Sequence, residues 1–116
     1  MEEQMARRLV AAEGKKLQQA GLVARTWGNI SCRIDENHFV ITPSGLDYET
    51  MTARDLVLMD IRNGVCCGAH KPSSEKGVHL AAYQTFPEVG YVIHTHQTYA
   101  TAIALCGFEQ LAMTEE

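Results

Sequence analysis

The sequence has no C-x-x-C pair, no apolar run of membrane-spanning length and no extended basic cluster. Its cysteines form neither a zinc clamp nor a disulfide framework, so reduced thiols are expected. The charged stretch at residues 1–16 does not resemble a signal peptide. These absences predict a cytoplasmic protein without a membrane partner. The four cysteines are Cys32, Cys66, Cys67 and Cys106.

The charge balance also argues against nucleic-acid binding. The chain carries 10 Lys and Arg against 14 Asp and Glu, a net charge of −4, and its basic pairs occur only at residues 7–8 and 15–16. Phosphate neutralisation by a basic patch is therefore not expected. The chain has 116 residues, of which 46% are apolar and 21% charged, and these values predict one globular domain.

Apolar periodicity and turn residues predict the order helix, strand, strand, strand, helix, strand, helix. This order indicates an α/β/α sandwich with a mixed, largely antiparallel central sheet, because a short turn links the first two strands. Residues 62–72 are expected to form a loop. The predicted helices cover 2–20, 74–86 and 97–106, the predicted strands cover 29–34, 38–43, 56–61 and 90–96, and a helical turn is expected within 52–56.

Two histidines stand two residues apart in the apolar stretch "GYVIHTHQTYATA". Residues two apart in a strand point to the same face, so His94 and His96 should present their imidazoles to one small volume, beside Val92. Ile93 and Thr95 should point to the other face. Such a pair is either a hydrogen-bonded polar patch or half of a metal site.

Three other stretches combine glycine with small polar residues at predicted strand or helix ends: "TWGNIS", "TPSGLDY" and "KPSSEKGVH". Backbone N–H groups and short side chains that converge on one point would bind a phosphate without arginine. The alternative for each stretch is an ordinary turn or helix cap. The candidate phosphate-binding residues are Gly28, Asn29, Ser44, Gly45, Ser73 and Ser74.

Glu75 follows the two serines in the first turn of the predicted second helix, where Ser73 or Ser74 is expected to be the cap. As a structural residue, Glu75 would be stabilised by the helix dipole. As a functional residue, it would be a carboxylate that moves a proton to or from carbon. His79 lies four residues further on and could pair with Glu75, so a structural role is expected for it. His38 and His70 lie in turn-like settings and should face water.

The four motifs "TWGNIS", "ITPSGLDYETMT", "KPSSEKGVHLAAYQTFPEV" and "VIHTHQTYAT" resemble the class II aldolase/adducin family in order and spacing. The resemblance runs from about Gly21 to Leu105. It corresponds to the first half or so of a typical family domain, so residues 1–116 are expected to be a partial class II aldolase/adducin domain.

The resemblance implies a metal-dependent aldehyde-lyase that cleaves a phosphorylated ketose by a retro-aldol reaction, through a zinc-stabilised enediolate. His94 and His96 match two of three zinc ligands, and Glu75 matches the catalytic acid/base. The family also implies a homo-oligomer, commonly a tetramer. The residues that match the family's phosphate-binding groups are Gly28, Asn29, Ser44, Gly45, Ser73 and Ser74.

Two positions favour the aldolase branch, since family epimerases carry lysine at the position of Thr42 and aspartate at that of Glu75. The third histidine ligand has no match after Gly107, so the chain is expected to bind metal weakly and to have little activity alone. The alternatives are a non-catalytic, adducin-like binding or assembly module, and a sugar-phosphate epimerase or dehydratase on the same scaffold.

Overall fold

The computed structural model describes residues 1–23, 28–94, 100–105 and 111–115, the last two stretches as backbone. Neither described helix is long and apolar enough to cross a membrane. A 3-10 turn at Ala53–Asp55 fits the helical turn expected there. The elements are α1 (Glu3–Gln19), β1 (Asn29–Arg33), β2 (His38–Ile41), β3 (Val57–Asp60), β4 (Cys66–Cys67), α2 (Lys76–Thr85), β5 (Val89–His94), β6 (Ala100–Leu105) and β7 (Leu111–Glu115).

The seven strands form one sheet in the order β4-β3-β2-β1-β5-β6-β7. Strand β1 therefore lies in the middle, between β2 and β5. Every pairing among the described strands is antiparallel, and Asn29 lies opposite His94 in the β1–β5 register. The largely antiparallel character of the predicted sheet is confirmed, and the described residues contain none of the parallel pairs that a mixed sheet would include.

Each face of the sheet packs against one helix. Apolar residues of α1 pack on one face with Ile30 and Val40. Residues of α2 pack on the other face with Phe39 and Val92. The alternation of side chains along the strands separates the two cores, and the α/β/α sandwich is confirmed.

The last two strands correct the sequence prediction. The helix predicted over 97–106 is wrong, because residues 100–105 form β6 and pair with β5; residues 97–99 and 106 lie outside the described residues. The run "ATAIAL" has small residues without a clear period, and tertiary strand pairing overrides the helix propensity of alanine there. The two-residue strand β4 also interrupts the loop expected over 62–72, and β7 was not predicted.

Gly14 lies at a close approach between α1 and a buried aromatic ring. A Cβ at Gly14 would lie 2.6 Å from Cδ1 of Tyr48 and 3.7 Å from Cδ1 of Ile30. The Tyr48 side chain is only 2% exposed, so its ring has little room to move. Glycine weakens a helix, but at this position it allows α1 to pack against the sheet.

We expect Gly14→Ala to lower the free energy of unfolding by about 1–3 kcal/mol, because overpacking outweighs the gain in helix propensity. Gly77→Ala is the matched control, since Gly77 lies in α2 and a Cβ there would meet no atom within 4 Å. That control should raise the free energy of unfolding by about 0.5 kcal/mol. Urea denaturation followed by circular dichroism measures both. Equal stabilisation by the two substitutions would contradict the close approach at Gly14.

Candidate active site

A cavity of about 180 Å³ lies beside the first turn of α2, where β1 begins and β5 ends. Eight of the nine candidate site residues line it, and the ninth, His96, lies outside the described residues. A larger depression of about 580 Å³, between Arg33 and Arg62, lies at the other end of β1 and α2 and is lined by other residues. The smaller cavity is lined by Gly28, Asn29, Pro43, Ser44, Gly45, Ser73, Ser74, Glu75 and His94.

A short backbone bridge brings two of the three small-residue loops together. Pro43 and Pro72 form an isolated antiparallel bridge. Beside it, the backbone N–H groups of Ser44 and Ser73 each donate to a carbonyl of the opposite segment, at 2.8 and 3.0 Å. These two N–H groups were expected to be exposed to a ligand, and that expectation is wrong because the bridge uses them. Ser44 and Ser73 can therefore offer an anion their hydroxyls but not their N–H groups.

Gly28 allows the chain that enters β1 to lie close to the end of β5. Its φ is +84°, and a Cβ there would lie 2.6 Å from Cγ1 of Val23 and 2.9 Å from the carbonyl oxygen of His94. Gly45 also has a positive φ, of +77°, but a Cβ there would meet no atom within 4 Å. Both positions favour glycine for their conformation, and Gly28 requires it for space as well.

Glu75 is the N-cap residue of α2, and its side chain makes no capping hydrogen bond. The helix therefore starts one or two residues later than a cap at Ser73 or Ser74 implies. The predicted capping bond is nevertheless made by Ser73, whose hydroxyl accepts a hydrogen bond from the backbone N–H of Glu75 at 3.2 Å. The exposed Glu75 carboxylate is therefore not used to cap the helix, and it lies at the positive end of the α2 dipole.

His94 stands at one end of a chain of polar side chains that runs beneath α2. Nδ2 of Asn29 lies 3.4 Å from Nδ1 of His94, and Oδ1 of Asn29 contacts Nε2 of His79. Nδ1 of His79 lies 2.6 Å from the Ser31 hydroxyl, which lies 2.7 Å from the Tyr83 hydroxyl. The chain thus links the cavity to the core on the α2 side of the sheet.

His79 is fully buried, and it contacts Asn29 and Ser31 rather than Glu75. Burial, with a smaller effect of the nearby His94, lowers the pKa of His79 to about 3. The ring is therefore neutral at physiological pH. The sequence suggested a structural role for His79 but gave no sign of these partners, because Asn29 lies 50 positions away along the chain.

The two other described histidines do not simply face water. His38 contacts the carboxylate of Asp35 at 3.0 Å, and His70 contacts that of Asp55 at 3.1 Å. Hydrogen bonds from the Thr52 backbone and from His70, among other contacts, keep the pKa of Asp55 below its ordinary value, the backbone bond being the larger cause. Neither histidine lines the cavity.

The described part of the cavity offers two metal donors, the imidazole of His94 and the carboxylate of Glu75. Among the described residues, no group of three or more His, Cys, Asp and Glu side chains is placed to hold a metal ion. Imidazole and carboxylate are donors that suit zinc and other divalent metals. The chemistry of these two donors therefore fits a divalent metal, and His96 would be a further donor.

Thr42 does not belong to the cavity lining. Its side chain is buried, and its hydroxyl accepts a hydrogen bond from the backbone N–H of Ile30 at 3.2 Å. From the sequence, threonine at this position favours the aldolase branch. The Thr42 hydroxyl instead bonds to the backbone near the start of β1, and it does not face the cavity.

The depressed pKa of His79 makes stability depend on pH in a defined direction. Its folded pKa of about 3 lies below the unfolded value of 6.5, so between these values the unfolded chain binds a proton that the folded protein excludes. The contribution of His79 to the free energy of unfolding is complete above pH 6.5 and falls by about 1.4 kcal/mol per pH unit below it.

We expect His79→Gln to flatten the decline in unfolding free energy between about pH 6.5 and 4.5 relative to the wild type. Urea denaturation at several pH values measures the difference in unfolding free energy between the two proteins. Both contain the same carboxylates, so the contribution of these groups to the pH dependence cancels in that difference. Val89→Ala, which removes no titratable group from the same core, is the control and should leave the slope unchanged. Parallel curves for the wild type and His79→Gln would contradict a neutral, buried His79.

The comparisons with known proteins agree on the kind of domain. The family model "Class II Aldolase and Adducin N-terminal domain" matches residues 8–116. The chain is 48% identical over 93 residues to an L-ribulose-5-phosphate 4-epimerase UlaF from Salmonella paratyphi C, and the match covers 78% of this chain and 40% of the relative. The chain therefore spans less than half the length of that relative.

Two solved structures have the same fold. An L-fuculose 1-phosphate aldolase superposes with a TM-score of 0.74 at 40% identity, over 81% of this chain and 45% of that one. An L-fuculose-1-phosphate aldolase from Thermus thermophilus superposes with a TM-score of 0.67 at 27% identity, over 81% of this chain and 48% of that one. From the family match, the fold and the ordered motifs, the chain belongs to the class II aldolase and adducin family.

Proposed function

We propose that this chain forms the metal- and phosphate-binding part of an enzyme that breaks a carbon–carbon bond in a phosphorylated ketose. The observation that supports this proposal is the convergence of Glu75, His94 and the small-residue loops on one cavity. The chain covers 40% of the related epimerase and 45% of the related aldolase, so the activity of a whole enzyme is itself part of the proposal. Cytoplasmic location and homo-oligomeric assembly also stay predictions.

The phosphate would be bound by neutral donors. None of the described lining residues is Lys or Arg. The hydroxyls of Ser44, Ser73 and Ser74 can donate to phosphate oxygens, and Asn29 lines the same cavity. The N-terminal end of α2 adds a favourable dipole. Gly28 lines the same cavity and would contribute through its backbone.

The metal would be held by His94 and His96, with the Glu75 carboxylate beside it. A bound divalent metal such as zinc would supply a Lewis acid that polarises the carbonyl and hydroxyl oxygens of the ketose. Glu75 would give a proton to the carbon that bears negative charge after the bond breaks, and remove it in the reverse direction. An exposed carboxylate without a capping bond is free to approach that carbon.

A 4-epimerase is the second candidate, and the 48% identity to a ribulose-phosphate epimerase favours it. In a 2-ketose, carbon 4 is not adjacent to the carbonyl, so simple enolisation does not invert it. Breaking and re-forming the bond between carbons 3 and 4 does. Aldolase and epimerase would therefore share the first half of the reaction.

We expect the chain to bind zinc weakly and His94→Ala to reduce the affinity at least about ten-fold, because an imidazole ligand is lost. Competition with a coloured chelator measures the affinity. His38→Ala is the matched control, since His38 lies away from the cavity, and it should bind as the wild type does. Undiminished zinc binding by His94→Ala would rule out His94 as a ligand and favour a non-catalytic module.

Turnover should be slow or absent in the 116-residue chain, and any turnover should depend on Glu75. With zinc present, aldehyde release from L-fuculose 1-phosphate measures aldolase activity, and inversion of L-ribulose 5-phosphate measures epimerase activity. Glu75→Gln should lower either rate by about 100-fold or more, because a positioned acid/base is lost. Glu88→Gln, outside the cavity, is the control. A rate unaffected by Glu75→Gln would exclude its role in proton transfer.

A further inference from the structure

The polar chain beneath α2 has a defined direction of hydrogen bonding. An amide oxygen only accepts, so His79 must donate from Nε2 to Oδ1 of Asn29. The neutral ring then accepts at Nδ1 from the Ser31 hydroxyl, which in turn accepts from Tyr83. At the cavity end, Nδ2 of Asn29 only donates, so Nδ1 of His94 accepts and the proton of that ring lies on Nε2.

This direction conflicts with a ligand at His94. Because the Asn29 amide engages Nδ1, Nε2 is the ring nitrogen that remains for a ligand in the cavity. A cation at Nε2 requires the ring proton on Nδ1, where it would face the amide NH₂ group. The amide must then turn its oxygen towards His94, as the partner of a ligating imidazole ordinarily does.

Turning the amide changes what His79 must do. The NH₂ group of Asn29 would now point at Nε2 of His79, which must accept, so the ring proton moves to Nδ1 and is donated to Ser31. The reversal is thus a change of tautomer in each ring. The Ser31 hydroxyl would then rotate to donate to the Tyr83 oxygen, and the Tyr83 O–H would rotate away from Ser31.

We infer that His79 is a positioning residue for His94, that it acts through the Asn29 amide, and that a cation on His94 reverses the hydrogen bonds along the chain. The inference rests on the proposed role of His94 as a metal ligand. Neutral histidine suits this position because it can donate and accept on two sides of one buried ring. A protonated ring would donate on both sides and hold the amide in one orientation.

The first test observes the tautomers directly. Long-range ¹H–¹⁵N spectra of the chain, labelled at histidine nitrogens, identify the protonated nitrogen of each ring. Without metal, His79 should be protonated at Nε2; with saturating zinc, it should be protonated at Nδ1, while Nε2 of His94 shows coordination. Coordination at His94 with no change at His79 would overturn the inference.

The second test measures zinc affinity in variants. His79→Leu removes both hydrogen bonds and should weaken binding about ten-fold or more, as loss of the partner of a metal ligand ordinarily does. His79→Gln should lose less, because its amide can still bond with Asn29. Val89→Ala is the packing control, because Val89 is fully buried in the same core but is not part of the polar chain. The zinc affinity of this variant should stay within about two-fold of that of the wild type.

The outcomes separate the inference from the proposed function. Zinc affinity unaffected by His94→Ala means that the proposed metal ligand is wrong. A second outcome is that His94→Ala loses zinc affinity while a folded His79→Leu variant keeps it. In that case His79 does not position His94, but the proposed metal ligand is still supported. An equal loss in Val89→Ala and His79→Leu would show a packing effect alone and would also overturn the inference.

Discussion

Strand β1 is central in the sheet, and polar residues occupy its buried face under α2. Asn29 is 4% exposed and Ser31 is 0% exposed. A buried polar group without a partner costs about 1–3 kcal/mol, so the helix that covers this face must supply hydrogen-bonding groups. His79 and Tyr83, one turn apart on α2, do so. The polar contacts between β1 and α2 therefore fix where the helix lies over the strand.

The position of α2 then determines the cavity. Glu75 precedes His79 by one helical turn, so contact between His79 and Asn29 places the start of α2 beside the start of β1. The β1–β5 register places His94 opposite Asn29. The groups that would act on a substrate are thus held by the contacts that satisfy the buried face. Loss of these polar contacts should alter binding before it unfolds the protein.

Local sequence signals predicted much of this arrangement. Periodicity and turn residues predict the helices over 2–20 and 74–86 and the strands β1, β2, β3 and β5. They also predict that Val92 and His94 share a face. Contacts between residues that are far apart in the sequence could not be predicted in this way. The bridge between Pro43 and Pro72 joins two residues without N–H groups, which ordinary strand patterns do not include. Likewise, nothing near His79 in the sequence indicates Asn29.

The neutral cavity lining also bears on the chemistry. A lysine or arginine beside the phosphate would attract the Glu75 carboxylate as well, and an ion pair would hold that carboxylate away from the reacting carbon. The described lining has hydroxyls and an amide in place of such a cation. Under the proposed function, phosphate recognition and proton transfer would therefore occupy one small cavity without competition. This half of the site would then serve an aldolase and an epimerase equally, and the fate of the aldehyde would depend on residues elsewhere in a complete enzyme.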